Sequence, residues 1–286
     1  MPLKIEGKKL NSIEYHSPIA SAQVKSCLML AGLFAKGKTK IYEPSLSRNH
    51  SEIMLEYLNA NIKTGMENNE FYTEIEQSQL TPKNLEIVGD ISSASFFMVA
   101  SAIVPNSEII IKNVGINPTR TGILDIFRQA EIKFELLNER KISNELCADI
   151  KVCYTEDIKP FKIEGDIIPR LIDELPVIAV LASQAEGETI VRNAEDLRNK
   201  ESDRIKCLVN ELTKIGVNIE ETRDGFIVRG KKELSGGAEL ESYHDHRLAM
   251  SFYIAGLVCK NEIAINGFEW TNISFPEFEE LMDNLI

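Results

Sequence analysis

Apolar residues recur along the chain in two kinds of helical pattern that alternate. One kind is apolar on nearly every face and rich in small residues, which is typical of a helix buried inside a domain. The other carries apolar residues on one face, as Ile205, Leu208, Leu212 and Ile215 do, and predicts a half-exposed helix. The buried pattern covers residues 21–37, 92–106, 173–187 and 245–261, and the amphipathic pattern covers residues 51–62, 121–132, 201–216 and 275–286.

Short strand patterns flank each of the buried helix patterns. An apolar run follows each helix, within residues 39–43, 108–114, 188–194 and 262–267. A strand that ends in glycine is predicted ahead of each helix: "LKIEG", "LEIVG", "FKIEG" and "FIVRG", which end at Gly7, Gly89, Gly165 and Gly230. The chain therefore reads as four copies of a strand–helix–strand–helix–strand unit, which indicates an α/β (α+β) fold class.

The composition is that of a globular protein of 286 residues, a length that allows two domains. The formal net charge of −12 disfavours a nucleic-acid-binding protein, which is usually basic. No apolar run is long enough to span a bilayer, and the first residues resemble neither a signal peptide nor a transit peptide. Five cysteines without a Cys-x-x-Cys pair favour a reduced, cytoplasmic protein without structural zinc: Cys27, Cys147, Cys153, Cys207 and Cys259.

Unusual polar residues collect where the predicted helices begin. Helix N-termini present free N–H groups and a positive dipole end, so they bind anions. Several such ends with four or five cations between them favour a site for a multiply anionic small molecule. The residues are Ser21, Gln23, Asp173, Asp245, His246 and Arg247 at the buried helices, and Ser47, Arg48, Arg120, Lys200, Glu201 and Arg204 at the amphipathic ones.

Plainer interpretations of the same residues stay open at this point. Asp173 is also a suitable N-cap for the helix that follows it, and the serines at 92–95 suit capping and tight packing. Lys200 and Arg204, four residues apart, suit a salt-bridged helix face. The "HDH" string at 244–246 could supply two metal ligands, although no third His or Cys lies near it.

Four strings together resemble the 5-enolpyruvylshikimate-3-phosphate synthase family: "LRNKESDRI", "HDHRLAM", "ASAQVKS" and "SLSRNHSE". The resemblance covers essentially the whole chain in order. It implies the enolpyruvyl-transferase fold of two domains, each built from three βαβαββ units with buried helices. Four of the six units are counted, so the chain resembles the C-terminal portion of the enzyme and is expected to lack the N-terminal segment. Residues 1–88 would be the remainder of the lower domain, and residues 89–286 the upper domain.

The resemblance also implies roles for particular residues of this chain. Asp173 matches the proton acceptor for the reacting hydroxyl, Glu201 matches a second acid–base carboxylate, and Lys200 matches a substrate-binding lysine at the reacting centre. One position departs from some members of the family, because Ile273 stands where they carry a lysine. The implied contacts to shikimate 3-phosphate are Ser21, Ala22, Gln23, Ser47, Arg48, Asp173 and Lys200, and those to phosphoenolpyruvate are Gln23, Arg204, His246 and Arg247.

The implied reaction transfers the enolpyruvyl group of phosphoenolpyruvate to the 5-hydroxyl of shikimate 3-phosphate and releases phosphate. It needs no metal or organic cofactor, and the expected partners are these two small molecules, with no nucleic acid and no membrane. The chain is expected to be a cytoplasmic monomer with little turnover by itself. Alternatives are a UDP-N-acetylglucosamine enolpyruvyl transferase relative, which the "KESDR" string disfavours, and a non-catalytic ligand-binding remnant. An RNA-end-processing relative is disfavoured by the acidic charge.

Overall fold

The computed structural model describes residues 3–230 and 233–285, which form eight α-helices and fifteen β-strands. No helix among them is both long and apolar enough to cross a bilayer. The helices are α1 Ala22–Gly32, α2 His50–Tyr57, α3 Ile91–Ile103, α4 Gly122–Gln129, α5 Leu175–Ser183, α6 Arg204–Lys214, α7 His246–Gly256 and α8 Phe278–Asp283. The strands are β1 Glu14–His16, β2 Lys38–Glu43, β3 Ile62–Glu67, β4 Glu70–Glu76, β5 Glu108–Gly115, β6 Phe134–Ile142, β7 Glu145–Cys153, β8 Lys162–Ile163, β9 Glu188–Val191, β10 Asn218–Thr222, β11 Gly225–Arg229, β12 Leu234–Gly236, β13 Glu239–Glu241, β14 Cys259–Asn261 and β15 Ala264–Asn266.

The chain divides into two compact units. The first takes the chain up to Ile87 together with Lys141–Leu146, and the second takes Val88–Arg140 and the chain from Cys147 onward. These units follow spatial contacts. The assignment of residues 1–88 and 89–286 to the lower and upper domains of the family stays a prediction.

A βαβαββ repeat organises both units. In the first repeat the strands lie in the order β1-β2-β4-β3, and in the third repeat they lie in the equivalent order β8-β9-β11-β10. In each, the leading strand pairs in parallel with the strand that follows the buried-type helix. The second repeat has the order β5-β7-β6, and its leading strand is reduced to a bridge between Gly89 and Val114. The fourth repeat comprises the parallel pair β13–β15 and helices α7 and α8.

Two of the four strands predicted to begin a repeat do not do so. A third is present only as the single bridge between Gly89 and Val114. Residues 3–7 form no strand, and Leu3 and Ile5 are each 90% exposed, so β1 leads the first repeat instead. The "FIVRG" strand is β11, which pairs antiparallel with β10 and β9 and therefore closes the third repeat. Alternation of apolar residues identifies a strand but does not identify its partner. A Cβ on Gly230 would lie 2.3 Å from the carbonyl oxygen of Ala182, so close packing requires this glycine.

Burial of the small-residue helices is confirmed in the second unit and was wrong in the first. Helices α3, α5 and α7 pack on one another, and nearly all residues of α3 and α5 are buried. The first unit contains one helix of this kind, α1, which buries Lys25, Met29 and Gly32 but leaves Leu30 55% exposed. A helix of this composition is buried only where similar helices pack around it.

Candidate functional site

The "KESDR" and "HDH" strings meet through one buried ion pair in the second unit. The Arg204 guanidinium donates from Nε to Oδ2 of Asp245 at 2.7 Å and from Nη2 to Oδ1 at 3.3 Å. The side chains are 1% and 0% exposed. Asp245 also caps α7 by accepting from the backbone N–H of Arg247 at 2.9 Å, and it accepts from the Ser202 hydroxyl at 3.1 Å. One carboxylate therefore fixes both the start of α7 and the first residue of α6.

Arg204 also reaches two of the predicted catalytic carboxylates. Its Nη2 donates to Oε2 of Glu201 at 2.6 Å, whereas its Nη1 lies 3.7 Å from Oδ1 of Asp173. Among the described residues this Nη1 is buried and has no hydrogen-bond partner. A buried N–H donor without an acceptor costs free energy, so this nitrogen is suited to an oxygen atom supplied by a ligand.

Asp173 lies between two cations. Lys200 Nζ is 3.4 Å from the same Oδ1 that faces Arg204. Asp173 does not cap α5, because that helix begins at Leu175 and Glu174 stands at its cap position. The N-cap interpretation of Asp173 was therefore wrong, and its carboxylate is directed at Lys200 and Arg204 instead.

The residues that open the "KESDR" string are not helical. Helix α6 begins at Arg204, after Asp203 as its N-cap, and the Asp203 carboxylate accepts from the backbone N–H of Lys206 at 3.1 Å. Lys200, Glu201 and Arg204 were predicted together at the start of an amphipathic helix, and of these three only Arg204 lies in it. Lys200 and Glu201 lie in the segment before it, where Lys200 has extended backbone dihedrals, and their side chains are 32% and 48% exposed.

Arg247 connects the starts of all three buried helices of the second unit. Its Nη1 donates to Oγ of Ser92 at 2.8 Å and to the backbone carbonyl of Asp173 at 3.2 Å. The Ser92 hydroxyl in turn donates to Oε1 of Glu174, a buried carboxyl at the start of α5. Burial raises the pKa of Glu174, against the opposing effect of the Ser92 hydrogen bond.

The two histidines of the "HDH" string have different surroundings. His244 stacks on Trp270, with ring centroids 4.6 Å apart. His246 is half-buried, and burial together with the charge of Arg247 lowers its pKa, so its ring is neutral at pH 7. A neutral ring next to Arg247 can donate or accept a hydrogen bond without adding charge.

Carboxyl groups outnumber cations in this cluster. With every group ionised, three cationic side chains stand against four carboxyl groups, and the formal charge is −1. An anion would therefore be held by directed guanidinium and ammonium donors, since the summed charge does not attract it. The cations are Lys200, Arg204 and Arg247, and the carboxyl groups are Asp173, Glu174, Glu201 and Asp245.

The start of α1 carries three of the predicted contacts in the first unit. Ser21 is the N-cap, and its hydroxyl accepts from the backbone N–H of Val24 at 3.4 Å. Ala22 is the first helical residue and Gln23 is exposed. The N-terminus of α1 therefore presents backbone N–H groups together with an amide side chain, which suits a phosphate oxygen.

Ser47 is buried beside an ion triad that joins the three consecutive elements α1, β2 and α2. Its hydroxyl donates to the Glu43 carboxylate, with one oxygen at 2.8 Å. Lys25 Nζ lies 3.0 Å from Glu43 and 2.7 Å from Glu52. Because a serine hydroxyl has one proton, Ser47 in this arrangement can accept a hydrogen bond from a ligand but cannot donate one. Arg48 follows it in the same loop and is half-buried.

Comparison with known proteins decides the family. Residues 1–282 match the family described as EPSP synthase (3-phosphoshikimate 1-carboxyvinyltransferase). The chain belongs to the EPSP synthase family. Curated members named 3-phosphoshikimate 1-carboxyvinyltransferase are 45% identical in Petrotoga mobilis and 47% identical in Geotalea uraniireducens. These matches cover 99% and 100% of the chain. The sister UDP-N-acetylglucosamine family is not favoured.

A solved EPSP synthase structure from Acinetobacter baumannii has the same fold, with a TM-score of 0.89 and 40% identity. The match covers 98% of this chain and 63% of that one. The chain spans 65% of the length of the two curated relatives. The enolpyruvyl-transferase fold inferred from the motifs is therefore confirmed.

Three residues of this charged cluster were assigned no site role from the sequence. Asp245 was noted at a helix start without a role, and Ser92 was assigned to capping, which Asp90 performs instead. Glu174 carried no signal of its own. A carboxyl directly before an almost wholly apolar helix could have marked it, because such a position is buried and a buried carboxyl needs a partner.

Proposed function

We propose that this chain carries binding and acid–base residues of an EPSP synthase that joins shikimate 3-phosphate and phosphoenolpyruvate. The reaction is a step of the shikimate pathway of aromatic amino-acid biosynthesis. The hydroxyl oxygen attacks C2 of phosphoenolpyruvate while the methylene carbon takes a proton. Loss of a proton from the resulting methyl group then expels phosphate and restores the double bond.

The buried Arg204 Nη1, which has no hydrogen-bond partner among the described residues and lies beside Asp173, carries this proposal. Lys200 converges on the same carboxylate. A donor set of this kind suits an oxygen of an anionic substrate, because charged N–H donors form strong hydrogen bonds to carboxylate or phosphate. The proposed phosphoenolpyruvate contacts are Arg204, His246, Arg247 and Gln23.

Two carboxylates in different surroundings divide the proton transfers. Asp173, held between Lys200 and Arg204, would take the proton of the substrate hydroxyl. Glu201, which is more exposed, would exchange a proton with the methylene carbon. The proposed shikimate 3-phosphate contacts are Ser21, Ala22, Gln23, Ser47, Arg48, Asp173 and Lys200.

We further propose a cytoplasmic monomer that uses no metal or organic cofactor. The five cysteines are all free thiols in the structure, which suits a reducing compartment. The reaction itself moves protons and a phosphate group between two substrates, and carboxylates and cations suffice for that chemistry.

Calorimetric titration tests the substrate assignment. Shikimate 3-phosphate should bind saturably, and UDP-N-acetylglucosamine should give no binding heat. Lys200→Met should weaken the binding of shikimate 3-phosphate at least about tenfold, because a cation beside the ligand is removed. Lys206→Met is the matched control, because it removes an exposed lysine in the first turn of α6, and it should leave binding unchanged. Binding of the UDP-sugar alone, or no binding of either compound, would contradict the assignment.

Phosphate release measured on this chain alone should be little or none. The chain spans 65% of the length of its curated relatives, and nothing in it matches the Asn-Ala-Gly-Thr loop that the family carries near its N-terminus. A robust rate of phosphate release from the two substrates would show that the described residues suffice for turnover.

A further inference from the structure

A buried hydrogen-bond chain connects Arg247 to a carboxyl that has no place in the proposed chemistry. Arg247 Nη1 donates to Ser92 Oγ at 2.8 Å, and Ser92 donates to Glu174. Glu174 is 1% exposed and Ser92 is 0% exposed. The three side chains come from the starts of α7, α3 and α5, so the chain of hydrogen bonds ties the three buried helices together.

The number of available protons determines which group donates in each of these hydrogen bonds. Ser92 has one hydroxyl proton, and it donates that proton in a hydrogen bond to Glu174 when Glu174 is ionised. The serine lone pairs are then directed at the guanidinium, which donates to them. Glu174 therefore orients the acceptor that holds Arg247.

The charges around Glu174 explain why its ionisation affects the affinity for an anion bound at Arg247. The buried carboxyl faces two cations, Arg120 and Arg247, and one further carboxylate, Asp173. Arg120 is also paired with Asp90 at 2.9 Å, whereas Arg247 is linked to Glu174 through the Ser92 hydroxyl. An anion that binds Arg247 competes with Glu174 for the same positive charge.

We propose that Glu174 is a positioning residue for Arg247, acting through Ser92, and that anion binding at Arg247 is linked to protonation of Glu174. This inference rests on the proposed function, which makes Arg247 a phosphoenolpyruvate contact. A proton on Glu174 brings the formal charge of the cluster from −1 to zero without moving a cation. The bound anion then interacts with Arg247 while no ionised Glu174 competes for the same positive charge.

Thermodynamic linkage gives the sign of the pH dependence. Burial raises the pKa of Glu174 above its usual range, so the carboxyl gains its charge as the pH rises through that raised value. Below it Glu174 is neutral and anion affinity is high, and above it the affinity falls. We expect a fall on the order of tenfold across this transition.

Titration with phosphoenolpyruvate at a series of pH values from acidic to alkaline tests the linkage. Glu174→Gln keeps an acceptor for the Ser92 proton but carries no charge, so its affinity should lack this fall. The ratio of the wild-type and variant dissociation constants cancels the titration of the ligand and of His246. Glu211→Gln is the matched control, because Glu211 is equally buried in the second unit but bonds to Lys214 and Tyr243. A ratio that does not change with pH would overturn the linkage.

A ligand-free measurement separates this inference from the proposed function. In nitrogen-15 NMR spectra of the unliganded chain, the Arg247 guanidinium N–H signals should be slowly exchanging. Ser92→Ala should remove that protection, and Glu174→Gln should preserve it while shifting the signals. Ser101→Ala, at the other end of α3, is the control for a serine that bonds to a backbone carbonyl.

The two measurements fail in distinguishable ways. If phosphoenolpyruvate does not bind while Ser92→Ala removes the protection of Arg247, the proposed function is wrong and the positioning role stands. If phosphoenolpyruvate binds through Arg247 and neither Ser92→Ala nor Glu174→Gln changes its signals, the positioning role is wrong and the proposed function stands.

Discussion

Replacement of Asp245 by alanine should lower the free energy of unfolding of the second unit by about 3–5 kcal/mol. The variant leaves the Arg204 guanidinium, which is 1% exposed, without the carboxylate that accepts from its Nε and Nη2. Glu201 still accepts from Nη2, but the buried Nε is left without an acceptor, and a buried charge that loses its buried partner is costly. Loss of the α7 cap adds about 1 kcal/mol to the same change.

Asp203→Ala is the matched control for Asp245→Ala. Asp203 also caps a helix and also pairs with an arginine, Arg198, but its side chain is 34% exposed. We expect Asp203→Ala to lower the free energy of unfolding by about 1 kcal/mol, because only the helix cap is lost. Urea unfolding followed by circular dichroism measures both variants. Equal losses in the two variants would mean that burial of the Arg204–Asp245 pair adds nothing to stability.

Lys25→Met should lower the free energy of unfolding of the first unit by a similar amount, about 3–5 kcal/mol. Lys25 is 2% exposed and lies between Glu43 and Glu52, which are 3% and 6% exposed. Removal of the ammonium leaves two buried carboxylates facing each other across the space it occupied. Methionine preserves the aliphatic stem, so the loss reports the charge and not the packing.

Two further variants separate charge from geometry at Lys25. Combining Lys25→Met with Glu43→Gln and Glu52→Gln should restore a large part of the lost stability, because no uncompensated charge remains. Lys38→Met removes an exposed lysine from a pair of surface carboxylates, Glu74 and Glu76, and should leave the unfolding midpoint unchanged. If the triple variant unfolds as easily as Lys25→Met alone, buried charge is not the cause of the loss.

The helix pattern was the most informative part of the sequence. All eight predicted helices exist. Helices were predictable because their apolar residues recur within a short stretch of sequence, at a spacing of three and four residues in the amphipathic ones. Most boundaries moved inward, as in α5, which begins at Leu175 and ends at Ser183 within the predicted 173–187. Frayed ends and 3₁₀ turns carry no apolar periodicity that could have marked them.

Strand partners were less predictable than helices. The sequence identified "FIVRG" as a strand but placed it at the start of the fourth repeat, whereas β13 at Glu239–Glu241 has that place. Pairing of strands far apart in the chain depends on contacts that no local pattern contains. The glycine markers at Gly7 and Gly230 misled for the same reason, whereas the string that ends at Gly165 contains β8, the leading strand of the third repeat.

The sequence by itself determined the helices, the repeated βαβαββ plan and the family, because local periodicity and short motifs carry that information. It also identified which charged residues are unusual, including Lys200, Glu201, Arg204 and Arg247. Only the tertiary structure decided their partners: Asp245 beneath Arg204, and Ser92 with Glu174 beneath Arg247. The partners in these hydrogen bonds are 41 to 155 residues apart along the chain. Burial and counter-charge arise only when distant segments pack together, so no local pattern could have revealed them.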